Sequence, residues 1–196
     1  MGSVRLYGST SGYLELQAPA VAPDAALVLP SDSLQPGLVH LHTETFTAKS
    51  SVSIDDVFSS EYENYRLIMD TNQTAAGEIY GRFRSGGVTD TTTANYLNQW
   101  VDIYSTTVDS ARQTSPTGIL FAYRNGSGTA YSESTIYQPN VSATTKVFTN
   151  AVGAKSNWTI QTRVSSHTSG VQDGIEIIPN TGTLDGTLRI YGYRNS

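Results

Sequence analysis

The chain has 196 residues, no cysteine, a formal net charge of −5 and a charged fraction of only 15%. The missing cysteines exclude a disulfide framework and any Cys-ligated metal. The lack of a Lys/Arg cluster argues against a nucleic-acid partner, because phosphates need clustered cations. Thr, Ser and 12 Tyr residues dominate over typical helix surface residues, which favours strands. We therefore expect an all-β protein that binds no nucleic acid.

The pattern of residues 1–39 predicts an extended N-terminal arm. Short strand-like runs at 4–7 and 13–17 surround a Gly/Ser turn, and Pro19, Pro23, Pro30 and Pro36 follow. Proline removes a backbone donor and favours extended chain, so this arm adds single strands to a partner more readily than it builds a core. Its most apolar stretch, 18–30, is too short and interrupted to span a membrane, and we expect no membrane partner.

Residues 40–196 predict a β domain. After an alternating stretch at 40–49, Ser53 is placed to cap one helical turn over 54–59. The clearest strand is 62–71, which puts Tyr65, Leu67 and Met69 on one face. Further strands are expected at 78–85, 96–106, 118–124, 131–137, 146–149, 158–165, 174–178 and 187–194, with turn signals between them that include Asp185-Gly186. Eight or nine strands at this spacing predict a jelly-roll-like β-sandwich.

Three stretches resemble a known group of proteins. Residues 8–16 read GSTSGYLEL, 18–22 read APAVA and 27–30 read LVLP. This order resembles a leader found in many virion proteins of tailed bacteriophages, where it precedes a β-structured module. Residues 51–66 (SVSIDDVFSSEYENYR) resemble the start of that module, and residues 186–193 (GTLRIYGY) resemble its end.

The resemblance implies a viral structural protein without enzymatic activity or cofactor. A short arm and one sandwich suit a capsid decoration (cement) protein, a homotrimer on the capsid surface that assembles in the host cytoplasm. Its arm would bind major capsid protein subunits by adding strands to their sheet edges. The arm residues expected to make these contacts are Tyr7, Tyr13, Leu14, Leu16, Val21, Leu27 and Leu29. A tail or fibre module that binds a host receptor or surface glycan remains the alternative.

Two groups of polar residues are considered both as chemical sites and as structural features. His40, His42 and Glu44 alternate, so on a strand they share one face and are suitable metal ligands. No fourth ligand follows by spacing, and we favour a polar strand face. The third histidine, His167, lies in a Ser/Thr-rich stretch and is expected to be exposed.

An acidic group surrounds the predicted helical turn and consists of Asp55, Asp56, Glu61 and Glu63. Paired carboxylates catalyse glycoside hydrolysis when they are held at a fixed separation. Acidic residues are also common at helix N-termini for electrostatic reasons, and we favour that reading.

Aromatic residues have two possible uses in this chain. Amphipathic rings stack on sugars and also suit sandwich cores and subunit interfaces; we favour core and interface. The residues in question are Tyr7, Tyr13, Tyr80, Tyr96, Tyr104, Tyr123, Tyr131, Tyr137, Tyr191, Tyr193, Trp100 and Trp158.

Overall fold

The computed structural model describes residues 3–7, 13–17, 37–124, 128–153, 159–168 and 170–194. By internal contacts the chain divides into two compact units, Met1–Leu34 and Gln35–Ser196. Within the described ranges the only helical element is a short 3-10 turn at Thr93–Asn95. None of the described residues form a helix with the length and apolar character needed to cross a membrane.

The first unit contains two strands, β1 (Ser3–Tyr7) and β2 (Tyr13–Gln17). They pair antiparallel, with Ser3 opposite Gln17 and Tyr7 opposite Tyr13. The sequence predicted two single strands at these positions, available to other chains; here the strands pair with each other. The division between the units lies after Leu34, and the first strand of the second unit begins at Leu38.

The second unit consists almost entirely of strands. In chain order they are β3 (Leu38–Lys49), β4 (Val52–Ile54), β5 (Tyr62–Gln73), β6 (Gly77–Ser85), β7 (Val88–Thr89), β8 (Tyr96–Tyr104), β9 (Thr107–Thr114), β10 (Ile119–Arg124), β11 (Gly128–Tyr137), β12 (Thr145–Gly153), β13 (Thr159–His167), β14 (Gly174–Pro179) and β15 (Leu184–Arg194). The all-β prediction is confirmed.

Two antiparallel sheets pack as a jelly-roll-like sandwich. The large sheet has eight strands in the order β3-β15-β5-β11-β12-β13-β8-β9. The small sheet has the order β10-β6-β14-β4, and β7 pairs with β6. The thirteen strands exceed the eight or nine predicted. The alternating stretch at 40–49 is strand β3, and the sequence pattern missed the short strands β4 and β7 and the exposed edge strand β9.

The hydrophobic core lies between the two sheets, and it includes Ile136 of β11 and Val147 and Ala151 of β12 as well as residues of β3, β15 and β5. We call β3, β15 and β5 the first half, and β11, β12, β13, β8 and β9 the second half. In β5, Tyr65, Leu67 and Met69 are fully buried, as their alternation predicted. They pack in the same core as Leu188 and Ile190 of β15 and as buried residues of the small sheet (Ile79, Phe83, Phe121, Ile175 and Ile177).

The predicted helical turn over 54–59 is wrong. Val52–Ile54 is instead a strand that pairs with β14, with buried Ile54 opposite Ile175. The backbone N–H groups of Val57 and Phe58 both donate to the carbonyl of Asp173. Pairing and apolar burial therefore override the local capping signal at Ser53.

Asp185-Gly186 was predicted as a turn and lies inside β15. The register of β15 against β3 shifts between Leu184 and Gly186, where Gly186 has a φ of 149°. A Cβ on Gly186 would lie 2.1 Å from the carbonyl oxygen of Asp70 on β5. The glycine therefore permits a bulge with close backbone approach, not a chain reversal.

Candidate interaction surface and polar cavity

The second half of the large sheet exposes apolar side chains on its outer face. In each strand, side chains point alternately to the two faces of the sheet. The strand register places one outward residue from each of five neighbouring strands in a single row: Tyr131, Val152, Ile160, Ile103 and Val108. Phe148 lies opposite Val164 on the same face, and Val101 lies two residues before Ile103. We call these eight side chains the outer apolar face.

The outer apolar face is large for an ordinary protein surface. Its residues range from 39% exposed for Phe148 to 65% for Val108. Together they present on the order of 700 Å², above the roughly 300–600 Å² of the largest patch on a typical monomer. A standard protein interface buries about 800 Å² on each partner. The face is thus close to the size of one subunit contact.

Few charges interrupt the outer apolar face. Between its apolar rows, Thr162 donates a hydrogen bond to Asn150 at 3.1 Å, so this central pair satisfies part of its own bonding capacity. Of the outward residues of β12, β13 and β8, only Lys146 is charged, and it lies opposite Ser166 near the end of the sheet. On the flanking strands, Glu133 of β11 lies opposite Asn150 and pairs with Arg66, and Arg112 of β9 lies opposite Gln99. Depletion of charge at the centre is typical of interfaces between identical subunits.

In the second half, the inner face is polar on β8 and β13, whereas β11 and β12 also contribute apolar residues to the core. Asn98 on β8 donates from Nδ2 to the carbonyl of Gly118 and accepts from the N–H of Leu120. Gln161 on β13 donates to the carbonyl of Tyr123 and accepts from its N–H. Gly118 directly precedes the edge strand β10, and Leu120 and Tyr123 belong to it. The backbone groups on the outer side of β10 have no neighbouring strand in the small sheet. The buried amides satisfy that edge.

A buried ion pair lies beside these amides. Arg163 on β13 is 1% exposed, and its Nη2 lies 3.3 Å from Oδ2 of buried Asp102 on β8. Burial lowers the pKa of Arg163 to about 10, against the opposing effect of Asp102, so the guanidinium stays charged at neutral pH. Its Nε and Nη1 make no hydrogen bond to any described residue.

Arg163 lines a cavity of about 210 Å³ between the two sheets. Two carboxylates on neighbouring strands face one another here, since Asp102 lies opposite Asp109 in the β8–β9 pair. Trp100 lies opposite Arg163 and contributes one wall. The small sheet contributes Glu78 and Tyr123.

His167 is buried, and the prediction that it is exposed is wrong. It ends β13 with no solvent exposure, and its ring contacts those of Phe83 and Tyr96. Nε2 of His167 lies 2.8 Å from Oδ2 of Asp90. Burial lowers the pKa of His167, so a neutral ring donates this bond. The Ser/Thr-rich stretch around it is a strand end covered by the loop that carries Asp90.

Asp90 is a strong hydrogen-bond acceptor at the same place. Burial alone would raise its pKa, but hydrogen bonds from Asn95, Thr92 and His167 outweigh that effect and lower the pKa to about 2. The carboxylate accepts from Nδ2 of Asn95 at 2.7 Å and from the N–H of Thr92 at 2.8 Å. This arrangement ties the loop to β13.

The suggested metal ligands do not converge. His42 lies 3.5 Å from Glu44, whereas His40 bonds to Thr43 and its ring contacts Tyr191. The register of β15 against β3 shifts between Ile190 and Tyr191, which places His40 and His42 opposite residues of different faces. Among the described residues no group of three or more His, Asp or Glu is arranged to hold a metal.

Three of the acidic residues near β4, Asp55, Asp56 and Glu61, line one open pocket of about 230 Å³. Asp55 forms a two-point ion pair with Arg84, with 2.6 Å from Nε to Oδ1. Glu63 accepts a hydrogen bond from Gln138 at 2.6 Å. Neither residue faces the other across a shared site, and the helical turn whose N-terminus they were expected to stabilise is a strand and a loop.

The aromatic residues divide among core, surface and cavity. Tyr80 and Tyr96 are buried, whereas Tyr131 and Tyr137 are exposed. Trp100 lines the cavity. Of the arm residues predicted to bind a partner, Tyr7, Tyr13, Leu14 and Leu16 lie in β1 and β2, where only the backbone is described, and Val21, Leu27 and Leu29 lie outside the described residues, as does Trp158.

Sequence reasoning did not find the outer apolar face or the pairing of Arg163 with Asp102. A signal for the face is present in β13, where Ile160 and Val164 alternate with Gln161, Arg163 and Ser165. In β12 both faces carry apolar residues, so its alternation does not tell which face is outside. Comparisons of the chain with protein-family models, curated proteins and solved structures gave no match.

Proposed function

We propose that the chain is a structural protein of a tailed-phage virion that decorates the capsid as a homotrimer. In this proposal the sandwiches associate through the outer apolar face, and residues 1–39 bind major capsid protein subunits. The leader resemblance suggests the virion, and the outer apolar face supports assembly with copies of the same chain.

The outer apolar face is the observation that carries the proposal. A surface of on the order of 700 Å² with eight exposed apolar side chains costs solvation free energy until a partner covers it. Each copy has a net charge of −5, and a contact through apolar side chains adds little short-range repulsion to that net charge. Three sheets that turn this face towards a common axis enclose an apolar core, with each face contacting both neighbours.

The arm gives the proposal its capsid-binding part. Residues Met1–Leu34 of the arm form a compact unit by internal contacts, so a chain that starts at Leu38 keeps every strand of the sandwich. Three arms on one trimer would bind neighbouring capsid subunits together, and linkage raises the strength of the whole through effective concentration.

Co-sedimentation with empty heads of the parent phage tests the capsid role. We expect saturable binding by the full chain and none by a chain that starts at Leu38, with equal circular dichroism for both. Binding by neither chain would contradict the decoration role and favour the alternative, a tail or fibre module that binds a host receptor or glycan. Equal binding by both would contradict the role of the arm.

A further inference from the structure

A polar pair lies at the centre of the outer apolar face. Asn150 of β12 lies directly opposite Thr162 of β13, which is the middle strand of the second half. Two residues before and after the pair, both strands carry apolar side chains that are between 39% and 58% exposed (Phe148, Val152, Ile160 and Val164). A partner that covers these four side chains therefore also covers the pair.

The pair satisfies only part of its bonding capacity within the chain. The Thr162 hydroxyl donates to Oδ1 of Asn150 at 3.1 Å, which leaves the hydroxyl oxygen able to accept. The amide of Asn150 has two N–H donors, and no described residue accepts a hydrogen bond from them. Glu133, opposite Asn150 on β11, forms its ion pair with Arg66 instead. Asn150 is exposed, so water bonds to these donors until a partner covers the face.

A partner on the outer apolar face removes this water. A buried donor without an acceptor destabilises a contact by more than a typical hydrogen bond stabilises it. At the centre of the same face in a second copy, the hydroxyl oxygen of Thr162 is a free acceptor. Contact between copies therefore satisfies the amide of Asn150 when the two centres meet, whereas a shift by one row along the strands places the amide against apolar side chains.

We propose that Asn150 and Thr162 fix the alignment of the subunits, a role that depends on the trimer contact of the proposed function. Nδ2 of Asn150 donates to the hydroxyl oxygen of Thr162 in the next copy, and each Thr162 hydroxyl donates to Asn150 of its own chain. Around a closed ring, each copy donates to one neighbour and accepts from the other. A polar residue in an otherwise apolar interface selects register and the number of subunits at a cost in stability.

The T162V variant tests this role, because valine has nearly the shape of threonine, is more apolar and lacks the hydroxyl. A face that associates through apolar area alone would associate as well or better with valine. We expect T162V to raise the concentration at which half of the trimer dissociates by about tenfold or more, since Oδ1 and Nδ2 of Asn150 both lose their partners. Sedimentation velocity over a dilution series of the full chain measures this concentration.

The double variant N150L/T162V removes both polar side chains of the pair. We expect it to associate strongly without a fixed alignment, so that native mass spectrometry finds several oligomers where wild type forms trimers alone. N72L makes the same change as N150L at an exposed Asn on β5, outside the outer apolar face, and should behave as wild type. Circular dichroism checks the folding of each variant.

Two results would overturn the alignment role and leave the subunit contact intact. One is a T162V trimer that is as stable as wild type, and the other is an N150L/T162V variant that forms trimers alone. A wild type that is monomeric at every concentration contradicts the subunit contact itself, and the alignment role with it.

Discussion

Strands β5 and β13, from the two halves of the large sheet, distribute polarity in opposite ways. In the first half, β5 buries Tyr65, Leu67 and Met69, and its outward residues Arg66, Ile68 and Asp70 are polar except for Ile68. In the second half, β13 buries Gln161 and Arg163 and turns Ile160 and Val164 outward. Both strands alternate with the same period, so alternation identifies a strand and two faces without saying which face is inside. The second half therefore has a polar inner face against the edge of β10 and an apolar outer face, which in the proposed function contacts another copy of the chain.

The ion pair is the strongest test of the polar inner face. D102A removes one partner of a buried pair and leaves the charge of Arg163 without it. Removing one partner of a buried ion pair costs about 3–5 kcal/mol, and we expect a loss of this size in the free energy of unfolding measured by urea denaturation. The double variant D102L/R163M, with apolar residues at both positions, should recover most of it. Equal stability of D102A and wild type would show that the ion pair of Asp102 and Arg163 contributes nothing to the free energy of unfolding.

Truncation of a buried and an exposed apolar residue sharpens the comparison. L67A in the first half removes a fully buried side chain and should cost about 3 kcal/mol, within the usual range for buried Leu. I160A in the second half should lower the free energy of unfolding of the monomer by about 0.5 kcal/mol. The cost is small because Ile160 is largely exposed in the monomer. Urea denaturation measures both losses. A cost for I160A as large as for L67A in the monomer would mean that the outer face is part of the fold's own core.

Acid should weaken the second half through His167 and Asp90. Burial lowers the pKa of His167, so its contribution to stability is complete above its ordinary pKa of about 6.5 and declines as the pH falls below it. The pKa of Asp90 is lowered to about 2 from 3.8, so its contribution is lost only as the pH falls below 3.8. We expect two successive losses in thermal stability on acidification.

The H167F variant isolates the first of these losses. Phenylalanine keeps the ring contacts with Phe83 and Tyr96 and does not titrate. The loss between about pH 7 and 5 should disappear in H167F and remain in the control H40Q, in melting curves followed by circular dichroism. A loss of the same size in H167F would place its origin elsewhere.

Sequence predicted the fold class and most strands because strand alternation and Gly/Asn/Asp turn signals are local. Tyr65, Leu67 and Met69 were assigned to one face correctly, since three apolar residues alternate there with Arg66, Ile68 and Asp70, of which only Ile68 is apolar. The edge strand β9 was missed because residues 107–114 are almost all polar and exposed on both faces, and Ser105 with a φ of 55° reverses the chain in place of a glycine or asparagine.

The candidate sites depend on long-range register and were less predictable. Asp102 and Arg163 are 61 residues apart in the chain, and only the pairing of β13 with β8 brings them together. The polar inner face exists because β10 ends the small sheet and its backbone needs partners, which no local pattern of β8 or β13 reveals. His167 was misassigned for the same reason: the loop that buries it comes from residues around Asp90.

The central claim is that the outer apolar face joins identical subunits, and sedimentation velocity tests it directly. V164D places a charge in the middle of this face, and V88D makes the same change at a valine that is 70% exposed on β7 of the small sheet. We predict that wild type and V88D sediment as trimers and that V164D sediments as a folded monomer. A monomeric wild type at every concentration, or a V164D variant that remains trimeric, would contradict the claim.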